Sequence, residues 1–149
     1  MSLKFSHFVS QIPDNVMQNV EKHLSEDIAL FKPTIFHKEP MYSIDYHIIV
    51  TNEVPPDVYL DGKLQTFDRG KIIVVNPGNT FVSTASLPTQ QYYFLLIKPE
   101  LLNKVAEEMG ISGEIYFLDF QNPYSVDLIQ AIKNFDKECQ RPDSIPLVL

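Results

Sequence analysis

The sequence predicts a mainly β fold with flanking helices, on three observations. Short β-prone runs are closed by turn residues. Asp61-Gly62 separates Tyr59-Leu60 from Lys63-Leu64, and glycine accepts the positive φ that tight hairpins need. Asp68-Arg69-Gly70 makes a second turn, after which Ile72 to Val75 is an apolar run of strand length, bounded by Pro77-Gly78. A further strand follows from Tyr92 to Ile97 and stops at Pro99. Strands this short and this closely punctuated suggest a rolled antiparallel sheet, a small barrel or jelly roll.

Taken in order, residues 1–12 carry Phe5, Phe8 and Ile12 without a clear period and read as an arm lying on the barrel. Val16, Val20, Leu24 and Ile28 then recur every four residues, with Met17 and Phe31 beside them. This predicts an amphipathic helix opened by Pro13-Asp14 and ended by Pro33. Thr34–Lys38 and Tyr42–Thr51 are strand candidates, separated by Glu39-Pro40. Val54 to Asp57, with two prolines, makes a stiff connection to the hairpin.

Beyond the strands, Pro99 and Glu100 suit a helix's first turn, by fixed φ and by charge against the dipole. Leu101, Leu102, Val105, Ala106 and Met109 form its expected buried face, and Gly110 its stop. Glu114–Leu118 is expected to be one more strand. Asn122-Pro123 reads as the cap and first residue of a last helix, which Arg141-Pro142 terminates. That helix carries Leu128, Ile129, Ile132 and Phe135 on one side, with Cys139. The division expected is an arm and helix over 1–33, a barrel over 34–120 that includes the helix at 99–109, and a C-terminal helix over 121–149.

The 149 residues are the usual size of one domain, and 44% hydrophobic with 21% charged residues is ordinary for a soluble globular chain. No repeat or low-complexity segment occurs. The apolar runs are too short to cross a bilayer and the N-terminus lacks a signal-peptide core, so no membrane partner is expected. Cys139 is the only cysteine, which excludes an internal disulfide and makes a reducing cytoplasm the expected location. A net charge of −7 without a lysine or arginine cluster is poorly suited to phosphate backbones, so direct nucleic-acid binding is not expected.

The series from Gly70 through the β run to Pro77-Gly78, the polar pair Asn79-Thr80 and then Phe81 resembles the second conserved motif of the cupin barrels. Residues 92–102, with Pro99-Glu100 opening a helix after the last strand, resemble the end of the sensor barrel in AraC/XylS-type transcription regulators. The likeness continues through residues 115–120 and the helix ending at 135–140, and spans about Tyr46 to Gln140. It implies a cupin-like barrel that senses an effector and dimerises. It also implies a DNA-binding helix-turn-helix domain beyond residue 149, so that DNA is contacted only through that domain. The apolar finish from Ser144 to Leu149 fits a cut inside a longer protein; a terminus docked into a groove is the alternative.

In metal-binding cupins the position of Phe81 carries a histidine, and phenylalanine ligates nothing. Asp45 with His47, and His37 with Glu39, have the i, i+2 spacing that puts two ligands on one strand face, but no third ligand is identifiable. The expectation is no metal and no cofactor, with half-exposed or hydrogen-bonded strand histidines at 37 and 47. Cys139 on an apolar helix face reads as an inert small hydrophobe. No serine sits in a nucleophile elbow and no phosphate-cradling loop occurs, so catalysis is not expected.

A small barrel holds one small ligand where side chains do not fill it. Phe81 and, two residues on, Ser83 are expected to reach inward. Tyr46, His47, Tyr59, Tyr92 and Tyr93 offer aromatic faces with polar tips suited to a sugar or small polar metabolite. The strands at 46–50, 72–75 and 92–97 are apolar on both faces, which leaves open which tyrosines point in. Leu128, Ile129, Ile132 and Phe135 are the dimerisation candidates by the resemblance, and a helix packed on its own barrel is the other reading. The expected function is thus the effector-sensing and dimerisation domain of an AraC-type regulator. The alternatives are a stand-alone metal-dependent cupin enzyme, such as a sugar isomerase or dioxygenase, and a filled barrel that only dimerises.

Overall fold

The computed structural model of the chain describes residues 5–37, 40–111, 115–117, 119–123 and 125–140. Its hairpin forms where the sequence demands it. Asp61 and Gly62 take φ of 50° and 84°, the pair of positive angles a two-residue I′ turn requires. They join β6 (Val58–Leu60) to β7 (Lys63–Gln65). The Asp61 carboxylate accepts from the backbone N–H of Thr80 at 2.8 Å and from Asn79 Nδ2 at 2.7 Å, which ties this turn to the one at Pro77-Gly78.

The strands form three antiparallel sheets, and among the described residues they do not close into a barrel. The largest sheet has six strands in the order β1 (Glu21–Leu24), β2 (Ile28–Lys32), β11 (Tyr93–Ile97), β5 (Tyr46–Val50), β8 (Lys71–Val75) and β12 (Gln121–Pro123). A four-stranded sheet runs β4 (Met41–Tyr42), β9 (Thr80–Ser83), β6, β7. A ribbon pairs β10 (Leu87–Pro88) with β3 (Ile35–Phe36).

Both faces of the large sheet are covered, which is why its central strands are continuous apolar runs rather than alternating ones. Leu30, Ile48, Val50, Ile72, Val74 and Leu95 face the helix α4 (Val126–Gln140), which inserts Ile129 and Ile132. Ala29, Phe31, Phe94 and Leu96 face the other way, toward Met41 and Phe81 of the smaller sheet and toward the N-terminal segment. Neighbouring residues on one strand therefore serve opposite cores.

Several sequence expectations are corrected here. The stretch from Val16 to Phe31 is not one helix. Two short helices, α1 (Ser6–Ser10) and α2 (Asp14–Met17), are followed by the β1–β2 hairpin. Its turn is held by Ser25, whose hydroxyl donates to Ile28 O at 2.8 Å and accepts from Ile28 N at 3.2 Å. Phe5, Phe8 and Ile12 are buried core residues, not a surface arm, and β1 and β2 belong to the main sheet.

Residues 115–117 form no strand; Glu114 and Leu118 lie outside the described residues. Asn122 and Pro123 pair with Ile72 and Lys71 in β12 instead of capping a helix. The cap of α4 is Ser125, whose Oγ accepts from Leu128 N at 3.2 Å.

The helix after the last strand, α3 (Pro99–Glu108), starts and stops as expected. Gly110 adopts φ +83°, and the N–H of Ile111 reaches back to Ala106 O. Its expected buried face is only half used, since Ala106 is buried while Val105 is 42% and Met109 71% exposed. Among the described residues no helix is long and apolar enough to cross a membrane. The Lys38 end of the strand candidate at 34–38, Glu39, and residues 141–149 lie outside the described residues.

Candidate functional site

The two sheets leave a cleft between them. The large sheet contributes Ile49, Ile73, Val75 and Phe94, and the small sheet Met41, Val58, Phe81 and Ser83. Phe36, His37, Tyr92 and a connecting set of Pro55, Pro56, Phe67 and Phe120 complete the lining. The space measures ≈ 560 Å³ when the solvent-open mouth is counted with it. A second, smaller space of ≈ 360 Å³ lies under the N-terminal segment, between Phe8, Ile12, Val16 and Met17 on one side and Phe31 and Phe94 on the other.

The seven residues expected to contact a ligand divide sharply. Phe81, Ser83 and Tyr92 line the cleft. His47 sits beside it, on the β5 face that carries Ile49, across the ladder from Val75. Tyr46, Tyr59 and Tyr93 are not at the site. Tyr46 lies edge-on to Phe117 and donates its hydroxyl proton to Ile115 O. Tyr93 packs with the α4 core on the far side of the sheet, and Tyr59 is exposed on the outer face of β6. A strand that is apolar on both faces carries no parity signal, so spacing alone does not separate Tyr92 from Tyr93.

The two hydroxyls lining the cleft are committed within the protein. The Ser83 hydroxyl donates to Ala85 O at 2.9 Å and the Tyr92 hydroxyl to Ile35 O at 3.2 Å. Burial pushes the Tyr92 phenol up, so it stays protonated. Among the described residues, no Lys, Arg, Asp or Glu lines the space. A charged ligand would therefore be desolvated here without a countercharge.

The sequence suggests a half-exposed or hydrogen-bonded histidine at 47, and the structure differs. His47 is 2% exposed, ringed by Phe8 (5.6 Å), Phe81 (5.6 Å) and Phe94 (5.2 Å). Its Nδ1 has no hydrogen-bond partner among the described residues. Burial holds its pKa down at about 3, so the ring is neutral at physiological pH.

Asp45 precedes His47 by two residues on the same chain segment. Asp45 is 4% exposed; burial pushes its carboxyl up, partly opposed by Lys98. A carboxyl raised on folding is penalised when ionised. Its contribution is therefore most favourable below the unfolded pKa and is lost as pH rises through the folded one. Asp45→Asn is expected to melt higher than the parent at pH 7. That advantage should shrink to nothing as melts are repeated at pH values below about 4, the ordinary carboxylate range.

On the opposite face of the large sheet, Glu21, His23 and Asp136 bring three possible metal-ligand atoms within 4.8 Å of one another. A cation already sits among them: Lys32 Nζ lies 2.8 Å from Glu21 and 3.0 Å from Asp136. This group reads as an ion-pair latch between α4 and the β1–β2 hairpin. Cys139 lies nearby on α4, and burial together with Asp136 and Glu138 pushes its thiol up, away from thiolate reactivity.

Sequence reading missed the polar node that holds the cleft's end. Asn76 exchanges two hydrogen bonds with the backbone of Phe117, both at 2.8 Å. Asn79 Oδ1 accepts from Asn76 N at 3.0 Å, and the Ser43 backbone holds the same turn, donating to Asn79 O and accepting from Gly78 N. The available signal is Asn-Pro-Gly-Asn itself, because buried amides beside a tight turn serve its backbone. Of the dimerisation candidates, Ile129 and Ile132 are buried against the chain's own sheet, with Leu128 and Phe135 half-buried beside them. Ile129 and Ile132 thus follow the reading of a helix packed on its own chain. No protein-family model, curated protein or solved structure matches this chain.

Proposed function

We propose that this chain is a small-molecule-binding domain whose ligand occupies the cleft between the two sheets, and that it serves as the sensory part of a transcription regulator. The observation that carries the binding reading is the cleft itself: a concave space lined by aromatic and aliphatic side chains inside a two-sheet scaffold. Its lining favours an apolar or aromatic ligand over a sugar, because the Ser83 and Tyr92 hydroxyl protons are already given to backbone carbonyls. A sugar's several hydroxyls would then find too few partners, and each unpaired one counts against binding.

The regulatory half of the reading is supported by the ordered series Gly70, Pro77-Gly78 and Pro99-Glu100, which resembles the AraC/XylS sensor barrels. In that reading the three sheets are a cupin-like scaffold. A ligand acts by binding one conformation better than another, which an attached DNA-binding domain reports.

Binding is tested by thermal shift against neutral alkylbenzenes, alkylphenols and monosaccharides. A true ligand at ~100 times its dissociation constant stabilises by roughly 2.7 kcal/mol. Val58→Phe, which fills the cleft from β6, is expected to abolish the shift while leaving the fold intact. Stabilisation by sugars alone, or a shift unchanged in Val58→Phe, would sink this reading. For the regulatory half, the chain is fused to a DNA-binding domain that needs pairing to hold its operator. Operator occupancy that ignores the cleft ligand would count against it.

A further inference from the structure

We propose that His47 is the polar anchor of the cleft, and that the ligand is a neutral molecule with an apolar body and one hydrogen-bonding group that engages the His47 Nδ1. The proposal rests on the cleft being the ligand site. The imidazole lies directly behind the wall of that space: Ile49 follows it on the same strand face, Val75 lies opposite it in the ladder, and Phe81 and Phe94 pack on its ring. All four line the cleft.

A buried nitrogen without a partner is costly, and natural cores tolerate it mainly where function uses it. Of the groups at the cleft, Ser83 and Tyr92 donate to Ala85 and Ile35, whereas the His47 Nδ1 has no partner among the described residues. A neutral imidazole offers one donor and one acceptor, so it pairs with a hydroxyl or carbonyl. It does not compensate an anion, and among the described residues no cationic side chain lines the space.

Access requires one ring to turn. Phe94 is locked between Phe8 and Phe31, whereas Phe81 is only half-buried and sits on the short β4–β9 pairing. Phe81 is thus the ring that yields.

The test uses two probes with one body, 4-propylphenol and propylbenzene, titrated calorimetrically into the full chain, with 15N spectra of its histidines. The phenol is expected to bind at least tenfold tighter, because a site built to satisfy a polar group rejects the analogue lacking it. The His47 nitrogen resonance should move with the phenol and not with the hydrocarbon. In His47→Phe the two probes should bind equally. Equal binding to the unmodified chain, with the His47 resonance unmoved, overturns the anchor while leaving the cleft a binding site. Binding of 4-propylbenzoate as tight as the phenol's overturns the neutral ligand class. Binding of none of the three removes the site and the anchor with it. The comparison in the unmodified chain needs no variant, so a His47→Phe protein that fails to fold does not rescue the proposal.

Discussion

Phe31→Ala is expected to remove about 3–5 kcal/mol of stability, the largest effect of any single truncation in the sheet core. Phe31 is 1% exposed in the middle of β2, and its backbone is held on both sides, by β1 at Lys22 and by β11 at Phe94. Its ring lies 5.0 Å from Phe8 and 6.4 Å from Phe94, the latter edge-to-face. Truncation therefore removes two aromatic contacts, each worth about 0.5–1.5 kcal/mol beyond burial. It also opens a hole that a laddered strand cannot move to close. Against the roughly 5–15 kcal/mol that domains of this kind possess, the loss is a large share of the total. The urea midpoint should fall by roughly 1–3 M.

Because α1 has only five residues, its helix is held by packing and not by its own cooperativity. Phe8 is its anchor on Phe31, so near-ultraviolet dichroism should change before global unfolding. Leu64→Ala, on an exposed β7 position, is the control and should stay within about 0.5 kcal/mol of the parent. A Phe31→Ala loss no larger than the control's would mean the two-sheet core is not packed as described.

The parts of this fold that were legible are those where local chemistry admits one answer. Asp61-Gly62 is a hairpin because both residues accept positive φ, and α3 begins at Pro99 and ends at Gly110 for equally local reasons. The stretch from Val16 to Ile28 misleads for a reason of arithmetic. Apolar residues four apart share a face of a helix, but four is also twice the strand repeat, so they share a face of a strand as well. Ser25-Glu26-Asp27 decides between them, and its weight as a turn exceeds its weight as one helical turn. Pro123 misleads similarly, since proline suits a helix start but is also tolerated on an edge strand such as β12.

For the site, chemistry without parity reaches only part of the way. Phe81, Ser83 and Tyr92 arrive at the cleft, but Tyr46 and Tyr93 lie on the face covered by α4. The isolation of His47 among three rings is a tertiary fact that no spacing encodes.

Asp136→Ala is expected to cost about 2–4 kcal/mol, because it strands a half-buried ammonium. Asp136 falls on the apolar stripe of α4, seven residues after Ile129 and four after Ile132, and is itself buried. Its carboxylate accepts from Lys32 Nζ at 3.0 and 3.2 Å and from Gln140 Nε2 at 2.8 Å, with His23 Nε2 at 3.6 Å. The loss stays below that of a fully buried pair because Glu21, half exposed, still holds Lys32 at 2.8 Å.

The latch should also have a pH window. Burial pulls the Lys32 ammonium toward neutrality, yet Glu21 and Asp136 outweigh it and hold its pKa above the ordinary value. That contribution is present below the unfolded lysine pKa, about 10.4, and is lost as pH rises through the raised one. Lys32 and then His23 hold the Glu21 carboxyl below its ordinary value. Its contribution is present above the unfolded carboxylate pKa, about 4.3, and is lost as pH falls through the lowered one. Denaturation of the parent and Asp136→Ala at a series of pH values should thus show a gap that narrows as pH rises past about 10.4 and through the raised Lys32 pKa. Amide exchange should report the loss first in α4, whose docking on the sheet then rests on Ile129 and Ile132 alone among its buried positions. A gap that is flat across the whole range would mean that packing, and not the ion-pair group, holds the helix.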